Sequence, residues 1–145
     1  MKRSAALLVS ILISGLMWAS TPTVSAALTP EADLIARINE FRAGGGVPDL
    51  ALDPGLSAVA QSWAETMARN GAGSHNPALS QVVPPGWRAI GENVGWGGDI
   101  AAIDNFLRNS PVHAANMLNA QFNRIGIGVV NAGGKLWVVE DFGAY

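Results

Sequence analysis

Apolar residues recur at helical spacing over three stretches of this chain and then, past residue 124, switch to alternation with small ones. The first helix is predicted from Thr29-Pro30-Glu31, a capping hydroxyl, a proline at the first helical position and an acid in the first turn. Leu34, Ile35, Ile38 and Phe41 form its apolar stripe, and Gly44-Gly45-Gly46 stops it. Asp53-Pro54 opens a second helix in the same way. Its stripe is Leu56, Val59, Ala60, Trp63, Ala64 and Met67, and Asn70-Gly71 ends it. Asp99 caps a third helix carrying Ile103, Phe106 and Leu107. Ser110-Pro111 breaks that helix and caps a short fourth one running through Leu118. Trp63 and Phe106, on apolar helix faces, are expected in the core.

Between residues 71 and 98 glycine, proline and asparagine exclude long helices, leaving Ile90 to Trp96 as a short strand with Val94 and Trp96 turned inward. Ile125, Ile127 and Val129 alternate with Gly126 and Gly128. A second strand, Leu136 to Phe142, follows the hairpin loop Asn131-Ala132-Gly133-Gly134. Helices and strands that do not alternate as βαβ units point to an α+β sandwich on an antiparallel sheet. In this reading Glu140-Asp141 is a solvated strand end.

Ahead of the first helix, Met1-Lys2-Arg3 precedes an apolar run from Ala5 to Ala19, and Val24-Ser25-Ala26 supplies small residues for a signal-peptidase cut. This reads as a signal peptide, residues 1–26, cleaved after Ala26 or Ala27. The apolar run of about fifteen residues is shorter than the roughly 20 that span a bilayer. Residues 27–145 then form one domain, expected to be secreted and without a transmembrane segment. The chain has nine Lys+Arg and eleven Asp+Glu; without Lys2 and Arg3 the balance is seven against eleven, a formal charge of −4. A mildly acidic domain lacking a basic run argues against nucleic acid and anionic membrane surfaces as partners. Cysteine is absent, which excludes thiolate catalysis and Cys-ligated zinc.

The candidate chemistry gathers around the two histidines, in Ser74-His75-Asn76 and Ser110-Pro111-Val112-His113-Ala114-Ala115-Asn116, with Gly91-Glu92-Asn93 between them. Separations of 17 and 21 residues make no local metal motif. His113 falls third in a helix, where the free N–H groups and the dipole disfavour imidazolium; a neutral imidazole suits a metal ligand or a base. Glu92, in an apolar glycine-rich stretch, needs a partner or a proton; the candidates are the two histidines, a cation, or the hydroxyls of Ser74 and Ser110. His75 is alternatively a loop histidine and Glu92 a loop anchor. Trp87 and Trp96 either line the cleft around Glu92 or fill the core, and Asn116 either binds backbone near its helix or has a role in the cleft. Ser74 beside His75 makes a poor nucleophile, because adjacent residues rarely aim a hydroxyl at the neighbouring imidazole.

Five blocks then stand in order: Ala60-Gln61-Ser62-Trp63-Ala64; Ser74-His75-Asn76; Gly91-Glu92-Asn93-Val94-Gly95; Asn109 to Leu118; and Ile125-Gly126-Ile127-Gly128-Val129, closed by Trp137 to Gly143. In them the chain resembles the CAP superfamily of cysteine-rich secretory proteins, venom antigens and plant pathogenesis-related proteins, and most resembles its bacterial cysteine-free branch. The resemblance implies a three-layer α-β-α sandwich with a cleft that holds a divalent cation such as zinc or magnesium. His75, His113 and Glu92 would be the metal residues, and Ser74, Asn93, Trp96, Asn109 and Ser110 further cleft residues. Animal members carry a second acid where this chain has Asn109 or Ser110 beside Arg108, so a cation would be held more weakly. Two functions follow. One is a non-catalytic module binding a small extracellular ligand (lipid, peptide or glycan) or a cell-envelope component. The other is a metal-dependent extracellular hydrolase, a peptidase or a cell-wall-directed enzyme, in which His75 and His113 hold the cation and Glu92 either ligates it or is the candidate base.

Overall fold

The computed structural model describes residues 27–145; the expected signal peptide lies outside them. Five helices are present among these residues: α1 (Pro30–Gly44), α2 (Pro54–Asn70), α3 (Leu79–Val82), α4 (Ile100–Asn109) and α5 (Pro111–Met117). Four strands, β1 (Ala51–Leu52), β2 (Ala89–Gly97), β3 (Arg124–Ala132) and β4 (Lys135–Ala144), pair in the order β1-β3-β4-β2. The long strands are antiparallel; two-residue β1 joins β3 in parallel. Helix α2 packs on one face of the sheet and α1, α4 and α5 on the other, which gives the expected α-β-α layers.

Local chemistry sets the helix starts. Thr29 accepts from the Ala32 N–H, Asp53 from those of Gly55 and Leu56, and Asp99 from that of Ala102. Gly71 ends α2 in the left-handed conformation at φ 65°. Ser110 precedes α5 as its N-cap but its hydroxyl makes no capping bond, so Pro111 and the Ser110 carbonyl, which accepts from Ala114, start that helix. The β3–β4 turn is Gly133-Gly134, both at positive φ, and both strands are longer than expected.

The two faces of β3 differ in kind. Ile125 and Ile127 point into the larger core with Leu34, Ile38, Leu107 and Phe142. Gly126 and Gly128 point at α2, and a Cβ there would lie 2.1 Å from the Leu56 carbonyl carbon and 2.3 Å from that of Ala60. The helix backbone therefore rests directly on the strand, and Ala60, Ala64 and Met67 fill the second core with Val94, Trp137 and Val139. On the other side, fully buried Arg42 ties the end of α1 to its neighbours. It donates to the carbonyls of Pro48, Met117, Asn119 and Phe122 at 2.6 to 3.2 Å.

Several expectations require correction. Phe106 is 63% exposed, because the buried stripe of α4 runs Ile100, Ile103, Asp104, Leu107, with Asp104 carried inside by its ion pair to Arg108. Trp63 is only half-buried, its indole N–H donating to the Ser74 carbonyl at 2.7 Å. Val94 is inside, but Trp96, near the end of β2, is 51% exposed and stacks on Trp137. Glu140 and Asp141 are the largest departure. Both are buried, one on each face of β4.

Substitution Gly126→Ala is expected to cost about 3 kcal/mol or more, as a methyl group cannot be placed without lifting α2 off the sheet. Equilibrium denaturant unfolding checks this; a loss under about 1 kcal/mol would show that helix and strand separate freely.

Candidate functional site

The site forms at the edge of the sheet, where β2 has a neighbour on one side only. Side chains of β2 alternate between the layers: Glu92 and Val94 face the α2 side, and Asn93 the α4/α5 side. The loop that leaves α2 crosses to Glu92. Its path is fixed by the Trp63 bond to Ser74 and by Gly73, which lies so close to the Trp96 ring that a Cβ would stand 1.9 Å from it.

There His75 Nδ1 lies 2.7 Å from Glu92 Oε1, and the Asn76 N–H donates to the same oxygen at 2.9 Å. The Glu92 side chain is 4% exposed and the His75 side chain 63%. Glu92 Oε2 is buried with no hydrogen-bond partner among the described residues. With Nδ1 on the carboxylate, His75 presents Nε2 outward, the arrangement by which a carboxylate fixes the tautomer of a ligating histidine.

His113 comes from the opposite side, on the first turn of α5. Asn93, fully buried, donates from Nδ2 to the His113 carbonyl at 3.1 Å and to Glu140 Oε2 at 2.9 Å. Asn116 donates to the Glu92 carbonyl at 3.1 Å and to Asn93 Oδ1 at 2.9 Å, so α5 is tied to β2 just behind Glu92. Burial pushes the His113 imidazole below its usual range, and the nearby His75 adds to that. Its Nδ1 is buried without a partner among the described residues, and Phe106 lies beside the ring, centroids 6.1 Å apart.

The structure thus joins His75 directly to Glu92 and places α5, bearing His113, against the same strand. No group of three or more His, Asp or Glu side chains is arranged to hold a metal ion among the described residues. The other expected cleft residues divide. Ser74 is exposed and contributes its carbonyl to the loop; Asn93 lies beneath the cleft, within the hydrogen-bonded layer; Trp96 lies against Gly73. Asn109 turns its amide back onto Asn105, and Ser110 serves the start of α5. Trp87 is exposed. Asn76 leads from the cleft into a groove of about 410 Å³ lined by Val59, Ser62, Trp63, Thr66 and Val82.

Asn116 binds backbone as expected, though on β2 and not near its own helix, whereas the burial of Glu140 and Asp141 was not foreseen. Asp141 pairs in register with Glu92, and neither of its carboxylate oxygens has a hydrogen-bond partner among the described residues. Burial pushes it up to about 8, helped by the charge of Glu92; burial likewise raises Glu140 to about 8. Both are therefore neutral acids at pH 7. Their ordinary values are 3.8 and 4.5, so the folded state binds the extra protons, and the stability this gives is lost as pH rises through about 8.

The cysteine-rich secretory protein (CAP) family profile matches residues 35–142. Among solved structures, an extracellular SCP-domain protein of Bacillus anthracis is 26% identical, with a TM-score of 0.70 over 80% of this chain and 40% of that one. An outer surface protein of Borrelia burgdorferi matches at 21% identity and TM-score 0.73 over 79% and 91%. A cysteine-rich secretory protein of Staphylococcus aureus matches at 20% and 0.68 over 84% and 40%. The chain thus spans two fifths of the length of the Bacillus and Staphylococcus chains. No curated protein matches it by sequence.

Thermal unfolding between pH 7 and 9 should show the melting temperature falling by several degrees, a fall that Asp141→Asn reduces. His113, lowered from its ordinary 6.5, contributes in the opposite sense, a small gain in stability confined to the low end of this interval. A melting temperature that is flat or rises over that interval would contradict the burial of two neutral acids.

Proposed function

The chain belongs to the cysteine-rich secretory protein (CAP) family, and on that footing we propose that it is an extracellular binding domain. In this reading its edge-strand cleft takes a small ligand of the cell envelope or its surroundings, together with a divalent cation, and performs no chemistry. The short apolar leader in the sequence and the extracellular description of the Bacillus protein support the location.

The observation that carries the proposal is the 2.7 Å contact between His75 Nδ1 and Glu92 Oε1. It leaves His75 Nε2 free, while burial favours a neutral His113, so two imidazoles are the donors on offer and Glu92 stands behind one of them. Imidazole donors suit zinc better than magnesium, which prefers oxygen. The fit is therefore to zinc held by His75 and His113. Bound there, zinc would supply a Lewis-acidic attachment point for an anionic or carbonyl group of the ligand. The groove beside Asn76, with Val59, Trp63 and Val82 on its walls, offers apolar surface for the rest of that ligand.

A hydrolase is the less favoured reading because Glu92 Oε1 is already bonded to His75 and Asn76, which fixes the carboxylate as an orienting group. A catalytic zinc also usually has three protein ligands.

Calorimetry with zinc alone tests the proposal. Saturable binding is expected, weakened about 10-fold or more by Glu92→Gln, lost in His75→Ala/His113→Ala, and falling as pH drops through about 6. Equal affinity in the wild type and the double histidine variant would refute the cation site.

A further inference from the structure

Glu140 is a buried carboxyl group set among the apolar residues of the larger core. It is 0% exposed, stands between Val138 and Phe142 on β4, and keeps only one hydrogen bond, from Asn93 Nδ2 to Oε2 at 2.9 Å. Oε1 has no partner among the described residues. A buried carboxyl group left half satisfied destabilises a core that leucine or methionine would fill at lower cost. Core packing therefore does not account for an acid at this position.

What the acid does accomplish is visible in its one bond. The Asn93 side chain makes three bonds, to Glu140 at the back and to the His113 carbonyl and Asn116 in the middle, and Asn116 in turn donates to the carbonyl of Glu92. The amide of Asn93 has a single orientation that satisfies Glu140 and His113 with its NH2 group and Asn116 with its oxygen. An acceptor at position 140 enforces that orientation together with the His113 carbonyl. We propose that Glu140 is a positioning residue of the cleft, which, by orienting Asn93, fixes α5 and the His113 it carries against β2.

The cleft's importance rests on the binding function proposed above, but the placement of His113 is measurable without any ligand. With two histidines in the chain, each ring gives its own proton resonance, assignable from His75→Ala and His113→Ala. Glu140→Gln keeps an acceptor for Asn93 and needs no proton; Glu140→Leu fills the space and removes the acceptor. Three results are expected: Glu140→Leu shifts the His113 ring signal and leaves that of His75 in place; Glu140→Gln restores the wild-type position; and Glu140→Leu is at least as stable as the wild type in denaturant.

Zinc affinity should fall about 10-fold in Glu140→Leu and recover in Glu140→Gln. Identical His113 signals in the wild type and Glu140→Leu would overturn the proposal, as would equal disturbance by Gln and Leu. Failure of Glu140→Leu to fold would overturn it too, since Glu140 would then serve the core itself. If the wild type binds no zinc while the His113 signals behave as described, the cation reading fails and the positioning role stands.

Discussion

The contact on which the rest depends is the direct seating of α2 on β3. Gly126 and Gly128 offer no side chains to the helix, and its backbone occupies the space where their Cβ atoms would be. Packing at this distance fixes both the height and the direction of α2 over the sheet. The loop leaving its C-terminus is then delivered across β4 to the edge strand, where Trp63 holds Ser74 and Trp96 lies against Gly73. His75 reaches Glu92 as a consequence of these contacts. The glycine alternation that identifies a strand in the sequence is therefore also what aims the cleft.

The opposite layer reaches the same strand by polar rather than steric means. Arg42, near the end of α1, gathers main-chain carbonyls from the loop that follows α1, from the end of α5 and from the approach to β3, while Asn93 and Asn116 tie α5 to β2. Buried polar groups are costly singly and restrictive together, because each satisfied bond excludes alternative arrangements. Here they restrict one thing, the position of the first turn of α5 relative to Glu92. His75 thus meets Glu92 from the α2 side of β2, while α5, bearing His113, is tied to the same edge strand from the other side.

What the sequence disclosed follows from the range of the interactions involved. The caps at Thr29, Asp53 and Asp99 were legible because a cap is a contact within three residues. Five ordered blocks identified the family and named His75, Glu92 and His113, although spacing alone could not show that His75 bonds Glu92. Phe106 was misplaced because Asp104 occupies the buried stripe, its charge answered by Arg108 one turn later. Glu140 and Asp141 were misread for a related reason: adjacent acids near a chain end ordinarily face water. Burial of both requires α2 on one side and the α4/α5 layer on the other, which no local pattern records. The short β1 and α3 carry too few residues for a period to be seen.

The proposal that matters most is that His75 and His113, at the sheet edge beside Glu92, hold a cation together. A crystal structure of the protein grown with zinc tests it most directly. The account requires a zinc ion at about 2.0–2.1 Å from a nitrogen of His75 and of His113, with His75 Nδ1 still on Glu92. Zinc absent from the cleft at saturating concentration, with the two imidazoles turned away from each other, would contradict it.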